Sequence, residues 1–214
     1  MHLALPSRSM RVMVRRVPDF SWQVIEVDRV ERLLRTVSAA LDAAAIPYAV
    51  IGGNAVAAWV ATRDVGAVRA TKDVDLLLRR EDLPRASAAL EAHGFVRDEA
   101  LGVTVFVERD DPLPGQGVHV ILAGEKVRSH ESRAAPDVAQ AVRAKAGYLV
   151  LDLVPLIAMK LSAFRRVDQV HIEDLLRLGL IDAGIAATLP ADLLDRLRHI
   201  RDTMEWVGST PPAF

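Results

Sequence analysis

Apolar positions fall into two periods along this chain. Val30, Leu33, Leu34, Val37 and Leu41 recur at helical spacing. They predict an amphipathic helix that Asp28 opens, with Glu31 three residues on in capping-box spacing. That helix should stop near Pro47. Tyr48 to Ile51 then reads as a short buried strand, and Gly52-Gly53-Asn54 as a turn that starts a helix through AVAAWVA. Thr71 to Leu78 reads as the next strand. A helix is expected over residues 82–93: Asp82 can cap it, Pro84 suits its first turn and Gly94 follows its end. Val103 to Val107 and Val118 to Leu122 read as further strands, joined by the charged loop Glu108 to Gln116.

From about residue 133 the pattern is mainly helical. Tyr148 to Leu151 can add a last strand, and Asp152 and Pro155 start a helix through Lys160 and Phe164. Further helices are expected near 171–180 and 191–206. The fold class is therefore α/β (α+β). Three parts are expected: an N-terminal arm (1–20), an α/β domain (21–130) and a helical region (131–214) packed on it without a flexible linker.

Composition narrows the function. The chain has 214 residues, and 51% of them are hydrophobic, enough for a sizeable core. With 27 basic and 28 acidic residues, the formal net charge is -1, so no global basic field argues for wholesale nucleic-acid binding. Any charged site must be local. The arm carries Arg8, Arg11, Arg15 and Arg16 before the first acid, Asp19. It reads as a frayed or edge-paired segment, or as a small electrostatic arm for nucleic acid or a partner.

There is no cysteine, which excludes disulfides and thiolate chemistry and suits a cytoplasmic location. The first residues contain no continuous apolar region, so no signal peptide is expected. Ala43 to Thr62 is uncharged, but Pro47, Gly52, Gly53 and Asn54 interrupt it, so no membrane span is expected either.

The candidate chemistry lies in Asp73 and Asp75. Two residues apart in a strand, they share one face with Leu77, while Val74, Leu76 and Leu78 take the other. Adjacent carboxylates repel unless a cation sits between them, and a divalent ion such as Mg²⁺ (or Mn²⁺) takes one or two carboxylates plus substrate phosphates. Solvation of that face, or pairing with Lys72 or nearby arginines, would also explain them. The glycine turn shifts the balance. Gly52 and Gly53 admit close approach of a ligand to the backbone, Asn54 can cap the helix, and free N–H groups at a helix start suit phosphate. A phosphate turn some twenty residues ahead of a metal-binding acid pair is what nucleotidyl or phosphoryl transfer requires.

GGNAVAAW followed by RATKDVDLLL resembles the polymerase-β-type nucleotidyltransferase superfamily, and especially its small bacterial branch of AbiEii-type toxins. Gly52, Gly53, Arg69, Thr71, Asp73 and Asp75 stand at the matching positions. LIAMKLSAFRRVDQVHIEDLLRL is similar to a later helical segment of that branch, giving Lys160, Arg165, Asp168 and Asp174. The resemblance spans roughly residues 45 to 180. It implies a small mixed sheet flanked by helices, NTP as substrate, a divalent ion on Asp73 and Asp75, RNA as a possible acceptor and an antitoxin as a possible protein partner.

One position departs from the superfamily. Its third carboxylate falls where this chain has His119, in VHVILAG. His119 can be a packed strand residue, a general base, or a nitrogen ligand of Mn²⁺ or Zn²⁺. Glu108 is a candidate substitute acid. If neither serves, the chain is a catalytically degenerate nucleotide-binding or partner-binding protein. Arg63 and Arg69 can reach phosphate or be solvated. Lys160 can neutralise a triphosphate or snorkel to the surface. Asp168 and Asp174 read as capping and pairing residues, and Trp22, Trp59 and Trp206 as core or interface fillers.

Overall fold

The computed structural model describes residues 21–100, 102–128, 133–206 and 212–214, with the backbone alone for 21–27 and 100. The basic arm, residues 1–20, lies outside the described residues. Seven helices of a full turn or more pack on one mixed sheet among the described residues: α1 (Ser21–Ala43), α2 (Gly52–Val60), α3 (Leu83–Glu91), α4 (Leu153–Ala163), α5 (Arg166–Arg177), α6 (Ala183–Thr188) and α7 (Ala191–Thr203). The strands are β1 (Tyr48–Ile51), β2 (Val74–Leu78), β3 (Phe95–Ala100), β4 (Val103–Glu108), β5 (Val118–Leu122), β6 (Ala141–Arg143) and β7 (Leu149–Leu151). Their order is β3-β4-β5-β2-β1-β7-β6.

The sheet mixes antiparallel and parallel neighbours. β1 and β2 run antiparallel, β2 and β5 parallel, and β1 and β7 parallel. Two strands beyond residue 130, β6 and β7, thus complete a sheet whose centre is β2. Period-two alternation sorts its faces. Tyr48, Val50, Val74, Leu76 and Leu78 pack with α1 and α3 in one core. Ala49, Ile51 and Leu77 pack with α2, α4, α5 and α7 in the other. Both faces are covered, so the strands read as nearly continuous apolar runs.

Several local expectations change. Helix α1 already runs from Ser21, so Asp28 is an interior, exposed helical residue and not its cap. Asp82 ends a single 3₁₀ turn (Arg80–Asp82) and makes no side-chain cap to α3. Strand β3 was not expected: it is a sheet edge, and its Arg97, Asp98 and Glu99 break the apolar pattern. Helix α5 starts at Arg166, because Phe164 adopts a left-handed φ of 50° that ends α4 and turns the chain sharply. Trp59 and Trp206 are partly buried against the α2/α4/α5/α7 core, as expected of fillers. Among the described residues, no helix is long and apolar enough to cross a membrane.

Candidate active site

The parallel pairing of β2 and β5 aligns Val74 with Val118 and Asp75 with His119. In-register neighbours project to the same face, so the imidazole stands beside the carboxylates on the α2/α4/α5 side of the sheet. His119 Nδ1 is 3.6 Å from Asp73 Oδ2 and 3.7 Å from Asp75 Oδ1. One ligand atom from each of the three residues lies within 4.8 Å of the others, and among the described residues this is the one such cluster. The acids are tolerated because they sit at the end of β2, where the core opens into a cavity of about 860 Å³. All three line it.

Each partner is held. Thr71 donates from Oγ1 to Asp73 Oδ1 at 3.0 Å. His119 Nε2 lies 3.0 Å from the Pro114 carbonyl, which can only accept, so Nε2 carries the hydrogen. The Asp75 carboxylate raises the pKa of His119 above its ordinary value, with burial opposing and Asp73 adding to it. At 3.7 Å the Asp75 contact is one of charge proximity. Arg29 of α1 donates to the Lys72 carbonyl at 2.5 Å and the Gln116 carbonyl at 2.8 Å, tying together the segments that lead into β2 and β5.

The glycine turn abuts this cluster. Gly52 has φ 67°, and a Cβ there would lie 1.9 Å from Asp75 Oδ2. Its absence therefore serves both the left-handed backbone and the seat of the carboxylate. At Gly53 a Cβ would meet Thr71 Oγ1 at 3.2 Å. Helix α2 begins here with Ile51 as its N-cap and no side-chain cap, so its first N–H groups are not closed off by a side chain. Asn54 does not take that cap. It is buried, and its Nδ2 donates to the Asp73 carbonyl at 2.7 Å, tethering α2 to the start of β2.

The opposite cavity wall comes from α4 and α5. Lys160 does not snorkel: it is buried, and its Nζ is 2.9 Å from Asp168 Oδ1. Asp168 also accepts from Arg165 Nε at 2.7 Å and from the Arg165 backbone N–H at 3.2 Å, capping α5. Burial alone would raise the Asp168 carboxyl, but Arg165 and Lys160 outweigh it and hold it below the usual carboxylate range. Arg69 forms a two-pronged pair with Asp174, at 2.6 and 3.0 Å.

Two expected candidates fall outside. Arg63 is exposed and is not among the lining residues. Glu108 lies on the same face of β4 as Phe106, which packs in the α1/α3 core, so it does not replace the third acid. The sequence reading missed His171, which lines the cavity. Its Nδ1 is buried without a hydrogen-bond partner among the described residues, and burial, aided by Lys160, pushes its pKa down to about 4. Its spacing of three residues from both Asp168 and Asp174 was the available signal.

No family model matches the chain, and no curated protein matches it. Solved structures do. The antibiotic-resistance factor ANT(2'')-Ia aligns over 81% of this chain and 91% of its own, at 21% identity and a TM-score of 0.51. An antigenic nucleotidyltransferase-like protein from Paracoccidioides brasiliensis aligns over 83% of this chain and 89% of its own, at 15% identity and a TM-score of 0.56. The chain has a nucleotidyltransferase-like fold. At these identities the likeness speaks to fold, and the chemistry rests on the site itself.

Proposed function

We propose that the protein is a metal-dependent nucleotidyltransferase, which moves a nucleoside monophosphate from an NTP to an acceptor hydroxyl. The observation that carries this reading is the convergence of Asp73, Asp75 and His119 beside the start of α2 in one cavity. The donor set fits a divalent ion: two carboxylates and an imidazole gather, with His119 Nδ1 3.6 and 3.7 Å from their oxygens. Asp73 and Asp75 would hold Mg²⁺ or Mn²⁺, which when bound polarises the reacting phosphate and acidifies the acceptor hydroxyl.

The chain's own residues supply the rest. Gly52 and Gly53 let the triphosphate approach the α2 N–H groups, and the Asn54 tether fixes that turn against Asp73. Thr71 orients the Asp73 carboxylate. On the far wall, Lys160 and Arg165 both stand against Asp168 and would face phosphate, while Arg69 is held at the rim by Asp174. The acceptor oxygen bonds to the α-phosphorus, the bond to the β-phosphate oxygen breaks, and pyrophosphate leaves. His119 would take the acceptor proton or share the ion.

The finer reading is a toxin-like enzyme whose acceptor is RNA or protein and whose partner is an antitoxin. It rests on the motif resemblance through Gly52, Gly53, Arg69, Thr71, Asp73 and Asp75. A second reading, a degenerate nucleotide-binding protein, is favoured by His119 at the third-acid position, where an imidazolium would itself neutralise the acids. The test is incubation with each labelled NTP, Mg²⁺ or Mn²⁺, and total RNA, protein or a small hydroxylated acceptor. Label transfer that disappears in Asp73→Asn and Asp75→Asn, both folded and both unable to bind the ion, supports the enzyme. NTP binding without transfer to any acceptor supports the degenerate reading.

A further inference from the structure

The nitrogen in the acid cluster has a defined direction. The Pro114 carbonyl has no hydrogen to give, so the 3.0 Å contact requires the hydrogen on His119 Nε2. In the neutral ring the lone pair is then on Nδ1, the atom 3.6 Å from one carboxylate oxygen and 3.7 Å from another. In that neutral form the three residues offer acceptors within 4.8 Å of one another, and none of them can donate to another. A backbone carbonyl that fixes the distal ring nitrogen is the usual outer partner of a metal-bound histidine.

The spacing suits a shared ion. Two donors about 2.1 Å from a Zn²⁺ ion at a tetrahedral angle stand about 3.4 Å apart, close to the 3.6 and 3.7 Å between His119 Nδ1 and the two carboxylate oxygens. The scaffold also holds the donors in place: Asp75 and His119 are in register on adjacent strands, and Thr71 fixes Asp73. Gly52, by lacking a Cβ, leaves Asp75 Oδ2 its place.

We propose that His119 ligates the divalent ion through Nδ1, and that this nitrogen makes the centre select Mn²⁺, Co²⁺ or Zn²⁺ over Mg²⁺. The inference rests on the reading of this cluster as a metal centre and adds the ligand that decides which metal it takes. A hard ion such as Mg²⁺ gains little from imidazole, whereas the transition ions bind it well. Replacing His119 by Asp would restore an all-oxygen set and move the preference back to Mg²⁺.

The experiment is pulsed electron paramagnetic resonance of the full-length protein with Mn²⁺, beside calorimetric titration with Mn²⁺ and with Mg²⁺. Wild type should show nitrogen coupling to Mn²⁺, and that coupling should change to the ¹⁵N pattern when histidine is ¹⁵N-labelled. In His119→Asp the coupling should vanish, and the ratio of Mn²⁺ to Mg²⁺ affinity should fall by at least about tenfold. The labelled wild type needs no variant, so misfolding of His119→Asp leaves the test intact. Tight Mn²⁺ binding without nitrogen coupling overturns the inference and leaves the two-acid metal reading standing. No ion binding in wild type overturns both, and ion binding gained in His119→Asp would then show that a proton on His119 fills the site.

Discussion

Replacing Gly52 by Ala separates two demands that this residue meets together. Its φ of 67° is left-handed, and a Cβ there would lie 1.9 Å from Asp75 Oδ2 and 2.8 Å from Asp75 Cγ. Gly179, after α5, has nearly the same φ of 63°, yet a Cβ there would meet nothing within 4 Å. Gly179→Ala therefore measures the backbone term alone. That term is about 1–2 kcal/mol for a non-glycine residue in the left-handed region. Reduced freedom of the unfolded chain returns about 0.4–1 kcal/mol of it. At about 2–4 °C per kcal/mol for a chain of this size, Gly179→Ala should lower Tm by a few degrees. Gly52→Ala should cost more, since Asp75 must also swing away by more than an ångström to reach ordinary contact distance. Its carboxylate then leaves the cluster, and Mn²⁺ affinity should fall at least about tenfold, or roughly 1.4 kcal/mol. Thermal unfolding and Mn²⁺ titration of both variants read the two terms separately. A Gly52→Ala protein with wild-type Mn²⁺ affinity and the same Tm loss as Gly179→Ala would refute the claim that this glycine seats Asp75.

Other perturbations test the far wall. Lys160→Met removes one of the two cations on buried Asp168; with Arg165 still in place, the loss should lie near or below the ~3–5 kcal/mol of a broken buried pair, read by urea unfolding. The lowered pKa of Asp168 means that the folded chain binds fewer protons there than the unfolded one, so its contribution is full above the ordinary carboxylate range. That contribution should be lost as pH falls through the lowered value, and urea midpoints at pH 6 and pH 3 should differ less in Asp168→Asn than in wild type. Arg69→Ala should weaken NTP binding about tenfold by calorimetry. Asp174→Asn should cost under about 1 kcal/mol of stability, because Arg69 is more than half exposed, and should leave NTP binding undiminished.

The central strands were legible because both faces of β1, β2 and β5 are buried, and their apolar runs end at turn residues. The two acids were legible for the opposite reason: nothing in an apolar run explains Asp75 inside β2 and Asp73 in the bend just before it, and that bend was not expected. Edge elements gave no such contrast. β3 and β6 have one neighbour each, and the charges of Arg97, Asp98 and Glu99 read as loop. Asn54 looked like a cap, since capping residues favour helix starts, but local sequence does not reveal a tertiary acceptor such as the Asp73 carbonyl. The orientation of His119 was hidden in the same way, because it depends on a carbonyl five residues earlier brought close by a turn.

Arg29 reaches the ends of two strands from the other side of the sheet. Its fork grips the carbonyl of Lys72, one residue before Asp73, and that of Gln116, two residues before β5. The gap between the carboxylates and the imidazole is thus gauged by a rigid, planar spacer that never enters the cavity. A lysine there would keep the charge but lose the fixed span between its two prongs. The width of the acid–imidazole cluster is in this sense set remotely, and a change in α1 can retune it without altering any atom that lines the cavity.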